Sequence, residues 1–316
     1  MRISAKAIAV PVMALSSAIA LAATVGMLSK LEPYYTWYYL FCWWSYIVFF
    51  EALLLLRRGR SELFHDPSRF FASLPLSILF WLVFELFNFR LQNWHYSGVP
   101  TERWIRWTGY AISFATVLPG LKVTENLLEH FTSVGKVPGK PRERLDRFHP
   151  SMIAVGACCL VAPLLEPRVF FPLVWVGFLL LLEPLNHFLR AQSLLDDLEN
   201  GSHQRVFQLP IAGLCCGLLW EMWNYWAGAK WTYTIPFLGF LKVFEMPVLG
   251  FLGFLPFALE AHVMSTTAWT ALHAITCIQS RAQRMALWLV LIVVAIFFSC
   301  SVFWGIDRMT VRSWRP

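Results

Sequence analysis

The chain has 316 residues, of which 58% are apolar and only 14% charged, with a mean hydropathy of +0.55. Soluble domains carry about 25% charged residues, so an ordinary soluble fold is excluded. The net charge of +7 is spread between apolar runs rather than gathered on a soluble module, which argues against a nucleic-acid partner.

Nine apolar stretches are long enough to cross a bilayer core of about 30 Å as helices: 8–28, 35–56, 72–89, 107–127, 151–167, 169–189, 206–226, 247–275 and 285–305. The period-two alternation of a membrane barrel is missing. The pattern predicts an all-α, polytopic membrane helix bundle.

The first stretch follows Arg2 and Lys6 and contains Ser17-Ala18-Ile19-Ala20, features of a cleavable signal peptide. Its apolar run continues unbroken to Met27, so an uncleaved first helix is expected. With the N-terminus inside, fifteen Lys and Arg fall on the inner side and ten on the outer. This bias predicts a cytoplasmic N-terminus, and a bacterial inner membrane is the expected location.

The third stretch ends in Phe84-Glu85-Leu86-Phe87-Asn88-Phe89, followed by Trp94-His95-Tyr96. The seventh ends in Trp220-Glu221-Met222-Trp223-Asn224-Tyr225, followed by Trp231-Thr232-Tyr233. Upstream of both lie a Leu-Pro (Leu74-Pro75, Leu209-Pro210) and an acid near the end of the preceding stretch (Glu51, Glu183). Downstream, an ungapped alignment brings Phe114 onto Phe251 and Leu118-Pro119 onto Leu255-Pro256, with Glu125 and Glu260 just beyond, two places out of register. Leu121-Lys122-Val123-Thr124-Glu125 also echoes Leu241-Lys242-Val243-Phe244-Glu245, but the longer alignment excludes that pairing. The chain therefore reads as a first membrane repeat (1–150, with a basic inner loop), a second (151–284) and a C-terminal helix with its tail (285–316). An even number of helices per repeat gives both halves the same orientation, with a pseudo-two-fold along the membrane normal.

An acid inside an apolar span is costly and marks a candidate site. Glu85 and Asn88 lie one helical turn apart, as do Glu221 and Asn224, so each pair shares a face. A carboxyl beside aromatic faces suits proton transfer to an apolar substrate, the rings stabilising a developing cation. The plainer reading is hydrogen bonding between helices. Glu125 has Lys122 a turn before it, which suggests an ion pair, whereas Glu260 has no such neighbour. The candidate acids are thus Glu85, Glu125, Glu221 and Glu260. Asn88, Asn224, Trp94, Trp220, Trp223, Trp231 and Tyr233 are the candidate substrate contacts.

Glu183 and His187 share a turn and form a possible metal pair, but no second cluster joins them. His262 and His273 sit on one stretch, whereas membrane haem wants facing histidines. The seven cysteines include no Cys-x-x-Cys and read as core residues. Neither a metal nor a cofactor is expected.

The order Trp220-Glu221-x-x-Asn224, Trp231-x-Tyr233, Pro256 to Glu260 resembles the integral-membrane lycopene cyclases of the heterodimeric bacterial and fused fungal type. Glu85-x-x-Asn88, Trp94-x-Tyr96, Pro119 and Glu125 repeat that order. The resemblance covers roughly 72–127 and 206–263. Neither half has the adjacent Glu-Glu that the family carries after proline. The resemblance implies two homologous multi-helix halves and non-redox cyclisation of an isoprenoid at their interface, with Glu260, and Glu125 as its counterpart, moving the proton. The partners implied are the bilayer and an apolar or lipid substrate. A proton-coupled transporter and a structural subunit of a membrane complex are the alternatives. An enzyme of this kind predicts an apolar cavity touching Glu221 and Glu260, whereas a carrier predicts a polar route across the membrane.

Overall fold

The computed structural model describes residues 5–134, 139–237 and 239–312. The first half runs α1 (Ala5–Leu28), α2 (Tyr38–Arg58), α3 (Glu62–His65), α4 (Pro67–Leu91), β1 (Trp94–Ser97), α5 (Arg103–Phe114) and α6 (Val117–Phe131). The second runs α7 (His149–Leu165), α8 (Pro167–Phe170), α9 (Val174–Phe188), α10 (Leu194–Glu199), α11 (Gln204–Trp226), β2 (Lys230–Tyr233), β3 (Lys242–Val243), β4 (Met246–Pro247) and α12 (Phe254–Thr276). The helix α13 (Arg281–Met309) follows. Among the described residues eight helical segments are long and apolar enough to cross a membrane. The chain is a multi-pass integral membrane protein.

Eight of the nine stretches expected from sequence are these segments. The fourth, 107–127, is two helices in series, α5 and α6, broken at Ala115-Thr116. A serine from another helix makes the break. The Ser77 hydroxyl on α4 donates to the Phe114 carbonyl (2.6 Å) and accepts the Leu118 N–H (3.0 Å). It therefore occupies the i→i+4 bond that would have joined the helices, a recognised cause of kinking. Pro119, with no N–H, removes the next rung. In the second half Gly213 stands the same eight residues before its Glu. A Cβ there would meet the Phe254 carbonyl oxygen at 2.2 Å, so glycine lets the start of α12 approach directly.

Helix ends follow from local chemistry. Arg57 and Arg58 close α2 against its negative dipole end, and Gly59 supplies the left-handed residue after it (φ 71). Asp66 caps α4, accepting the Ser68 hydroxyl (2.7 Å) and the Arg69 N–H (3.1 Å) ahead of Pro67. Those two donors, the hydroxyl first, hold the Asp66 carboxyl below its ordinary value.

The two halves repeat in detail. Glu51 at the end of α2 accepts the Leu63 N–H (3.0 Å), and Glu183 at the end of α9 accepts the Leu195 N–H (2.9 Å), each twelve residues ahead. Both acids are buried and cap the short helix that follows. The halves join through β1 and β2, which pair antiparallel with Trp94 opposite Tyr233, His95 opposite Thr232 and Tyr96 opposite Trp231. His95 and Thr232 are equivalent positions of the repeat, so a two-fold relation carries each strand onto the other. An aromatic core fills the interface, with Trp43 against Trp220 (centroids 5.4 Å) and Phe84 against Phe257 (5.8 Å).

Helix α13 is tied to the first half at its end. Asp307 takes a bidentate Arg106 pair (2.7 Å each) and the Trp107 indole N–H (2.9 Å). The Tyr96 N–H donates to the Thr310 carbonyl (2.8 Å). The middle of α13 is exposed, as at Leu289 and Phe297, and offers an apolar surface to lipid.

Replacing Ser77 by Ala removes the bridge between α5 and α6 and is expected to cost about 1–3 kcal/mol. Reversible unfolding in mixed micelles measures it, and an unchanged midpoint would mean that the two helices rejoin without the hydroxyl.

Candidate functional site

The two Asn residues clamp the paired strands. Asn88 donates its amide to the Trp94 carbonyl (2.9 Å) and accepts the N–H groups of Asn93 (2.9 Å) and Trp94 (3.2 Å). Asn224 donates to the Trp231 carbonyl (2.9 Å) and accepts the Trp231 N–H (2.9 Å). A helix end thus supplies the partners that an edge strand lacks. Both side chains are fully buried and neither lines a described cavity.

One turn earlier, each Glu receives the Tyr of the same strand. Glu85 Oε1 accepts Tyr96 Oη (2.5 Å), Trp81 Nε1 (2.8 Å) and Trp94 Nε1 (3.0 Å). Burial first, and the Glu85 carboxyl second, push the Tyr96 phenol well above its ordinary value, so it meets the acid as a donor. Glu221 Oε1 accepts Tyr233 Oη (2.7 Å), and that hydroxyl accepts Trp231 Nε1 (2.8 Å). Oε2 of Glu221 has no hydrogen-bond partner among the described residues.

A cavity of about 440 Å³ opens beside the strands. Its lining is largely aromatic and includes Tyr39, Trp81, Trp94, Tyr96, Trp175, Trp220, Trp231, Tyr233 and Phe257. Glu221 is the only carboxylic acid among the described lining residues. Two cations reach the wall and both are paired: Arg106 with Asp307 and Lys230 with Glu245 (2.8 Å). A largely apolar chamber with one acid, four phenols and a set of indoles among its described lining residues has the character of a small-molecule site.

The remaining candidates lie elsewhere. Glu85 is buried behind Trp81 and Trp94, outside the lining. Trp223 packs on Trp43 (4.9 Å) in the interface core. Glu125 pairs with Lys122 (2.9 Å) and faces a second cavity of about 90 Å³, shared with His262. His262, not Glu260, occupies the position aligned with Glu125. Glu260 is fully buried and accepts the Phe178 N–H of α9 (2.7 Å), so the structure does not bring it to the cavity that Glu221 lines.

Several lining residues carried no signal in the sequence. Trp37, Tyr39 and Trp175 are indistinguishable in sequence from the interfacial aromatic belt of any membrane protein. Only the repeated Trp-x-Tyr stood out from it. Donors suited to a metal converge at the other end of α9, around His187.

The chain matches no family model, no curated protein and no solved structure.

Replacing Asn88 by Leu strands two N–H groups and one carbonyl, and is expected to destabilise the protein by at least about 2 kcal/mol. Asn224→Leu is expected to fall in the same range. Unfolding midpoints in micelles check both, and wild-type stability in either would show that the strands are held by other contacts.

Proposed function

We propose that this membrane protein is an enzyme that binds an apolar, isoprenoid-type chain in the aromatic cavity and cyclises or isomerises it by proton transfer from Glu221. The observation that carries the reading is that Glu221 is the one acid among the described residues lining a largely aromatic chamber, whose two cations are already paired.

The chemistry balances without an oxidant or reductant. The Glu221 carboxyl gives its proton to a terminal carbon–carbon double bond, leaving a tertiary cation. A neighbouring double bond of the same chain attacks that cation and closes a ring. Loss of a proton from the ring back to the Glu221 carboxylate restores the enzyme, so the product is an isomer of the substrate. Trp220, Trp231 and Tyr39 line the cavity, and the π-electrons of such rings favour a passing cation. Tyr233 donates to Glu221 Oε1 and so orients the carboxyl. The likeness of the Glu-x-x-Asn, Trp-x-Tyr and proline order to the membrane lycopene cyclases supports a long isoprenoid as the substrate. Within that likeness, we assign the acid's role to Glu221 rather than Glu260, because Glu221 lines the cavity and Glu260 does not.

Expression in a lycopene-accumulating bacterium tests the reading. The expected result is conversion of the acyclic pigment to a cyclic one, and unchanged pigment would remove the carotenoid substrate. Glu221→Gln is expected to lower conversion at least about 100-fold. Glu260→Gln, altered against α9, is expected to retain activity. The reverse order would return the proton to Glu260.

A further inference from the structure

At the end of α9 five side chains of metal-ligand type meet, although they come from three separate segments. His187 is buried there, with its side chain 5% exposed. Its Nδ1 lies 2.7 Å from His149 Nε2, in the first turn of α7, and 3.4 Å from Asp146 Oδ1, just before that helix. His149 Nε2 is 4.0 Å from the same Asp146 oxygen. On the other side of the ring, His187 Nε2 lies 3.2 Å from Asp196 Oδ1 and 3.5 Å from Glu199 Oε2, both on α10.

We propose that Asp146, His149 and His187 form a binding site for a transition-metal dication of the zinc class.

The donor set is two imidazoles and one carboxylate, a common combination for such ions, with a fourth position left for water. Ligand bonds of about 2.0–2.2 Å at tetrahedral angles put the donors of one ion about 3.3 Å apart. The three observed separations bracket that value. Binding opens the two nitrogens slightly and draws in the carboxylate.

The surroundings of each ligand fit the same assignment. A metal-bound imidazole usually gives its second N–H to a carboxylate, which fixes the tautomer. Asp196 and Glu199 stand where the His187 Nε2–H needs an acceptor, leaving the Nδ1 lone pair aimed at His149 and Asp146. Asp146 keeps Oδ1 inward while its Oδ2 is held by Arg144 (3.1 Å). Glu199 Oε1 accepts the Leu145 N–H (2.5 Å), which anchors the chain immediately before Asp146. His149 and Asp146 are 17% and 46% exposed at their side chains, giving an ion access from one side. Without an ion, the His149 Nε2–H donates to His187 Nδ1. Binding moves that proton to His149 Nδ1 and frees the lone pair. A bound ion would cross-link the start of α7 to the end of α9, so its role is structural.

Cobalt(II) titration of the full-length, EDTA-stripped protein in detergent, carrying no polyhistidine tag, tests the site. The expected result is one equivalent of Co²⁺ giving saturable visible d–d bands, displaced by Zn²⁺, together with a raised unfolding midpoint. His187→Gln and His149→Gln are expected to abolish the bands. Asp196→Asn is expected to weaken binding about 10–100-fold while leaving stoichiometry at one. Absence of a saturable band in the wild-type protein overturns the proposal by itself, whether or not the variants fold. So does Co²⁺ binding that a folded His149→Gln variant leaves unchanged. In either case the cluster is a hydrogen-bonded contact between α7, α9 and α10 and holds no ion.

Discussion

The paired strands β1 and β2 set the geometry on which the rest of this molecule depends. Two equivalent segments lie antiparallel with His95 facing Thr232, so the register of four residues per strand fixes how one half sits on the other. So short a ladder is marginal on its own. It is held because Asn88 and Asn224 reach from helix ends to complete the outward-facing backbone groups of Trp94 and Trp231. The Tyr of each strand then points back to the Glu one turn earlier, and the aromatic side chains between them are fixed in place.

The same demand, that backbone and side-chain polar groups find partners inside an apolar body, explains most of the buried polar residues. Glu51 and Glu183 finish short helices, and Ser77 takes over one rung of a helix that would otherwise run straight. The break it creates lets α5 and α6 turn, so that Tyr110, Phe114 and Val117 all reach the cavity wall. Packing, chain geometry and the chamber therefore share one cause. Glu51, Glu183 and the two Asn residues are held in structural contacts, whereas Glu221 is the one acid among the described residues lining the cavity.

Much of this was legible in the sequence, for reasons that can be named. Apolar runs of bilayer length announce helices because nothing else satisfies the backbone there. The recurrence of Glu-x-x-Asn with Trp-x-Tyr marked two units because their spacing is imposed by the Asn-to-strand contact. What stayed hidden depends on partners distant in sequence. Ser77 and Leu118 are 41 residues apart, and His149 and His187 are 38 apart. His187 looked like a neighbour of Glu183, yet that acid turns to Ser193 and Leu195 while the imidazole turns to α7 and α10. Nor could the pattern say that the two Asn residues bind backbone rather than a ligand.

The repeat also shows how one motif can take two roles. Four residues before Glu85 stands Trp81, whose indole donates to the acid; four before Glu221 stands Gly217. A Cβ at Gly217 would meet the Phe254 ring at 2.3 Å, so the space of the first tryptophan is filled by a cavity-lining phenylalanine. The strand indoles differ as well, because Trp94 donates to Glu85 whereas Trp231 donates to the Tyr233 hydroxyl. In the first half the acid is the hub of three donors and lies sealed behind them. In the second, with one tryptophan lost and another redirected, Glu221 keeps Tyr233 as its donor and joins the cavity lining while its side chain stays buried. Divergence one turn before the acid and in the strand indole changes which donors the acid holds and brings it to the cavity lining, while the Asn clamp, which the fold requires, stays the same in both halves.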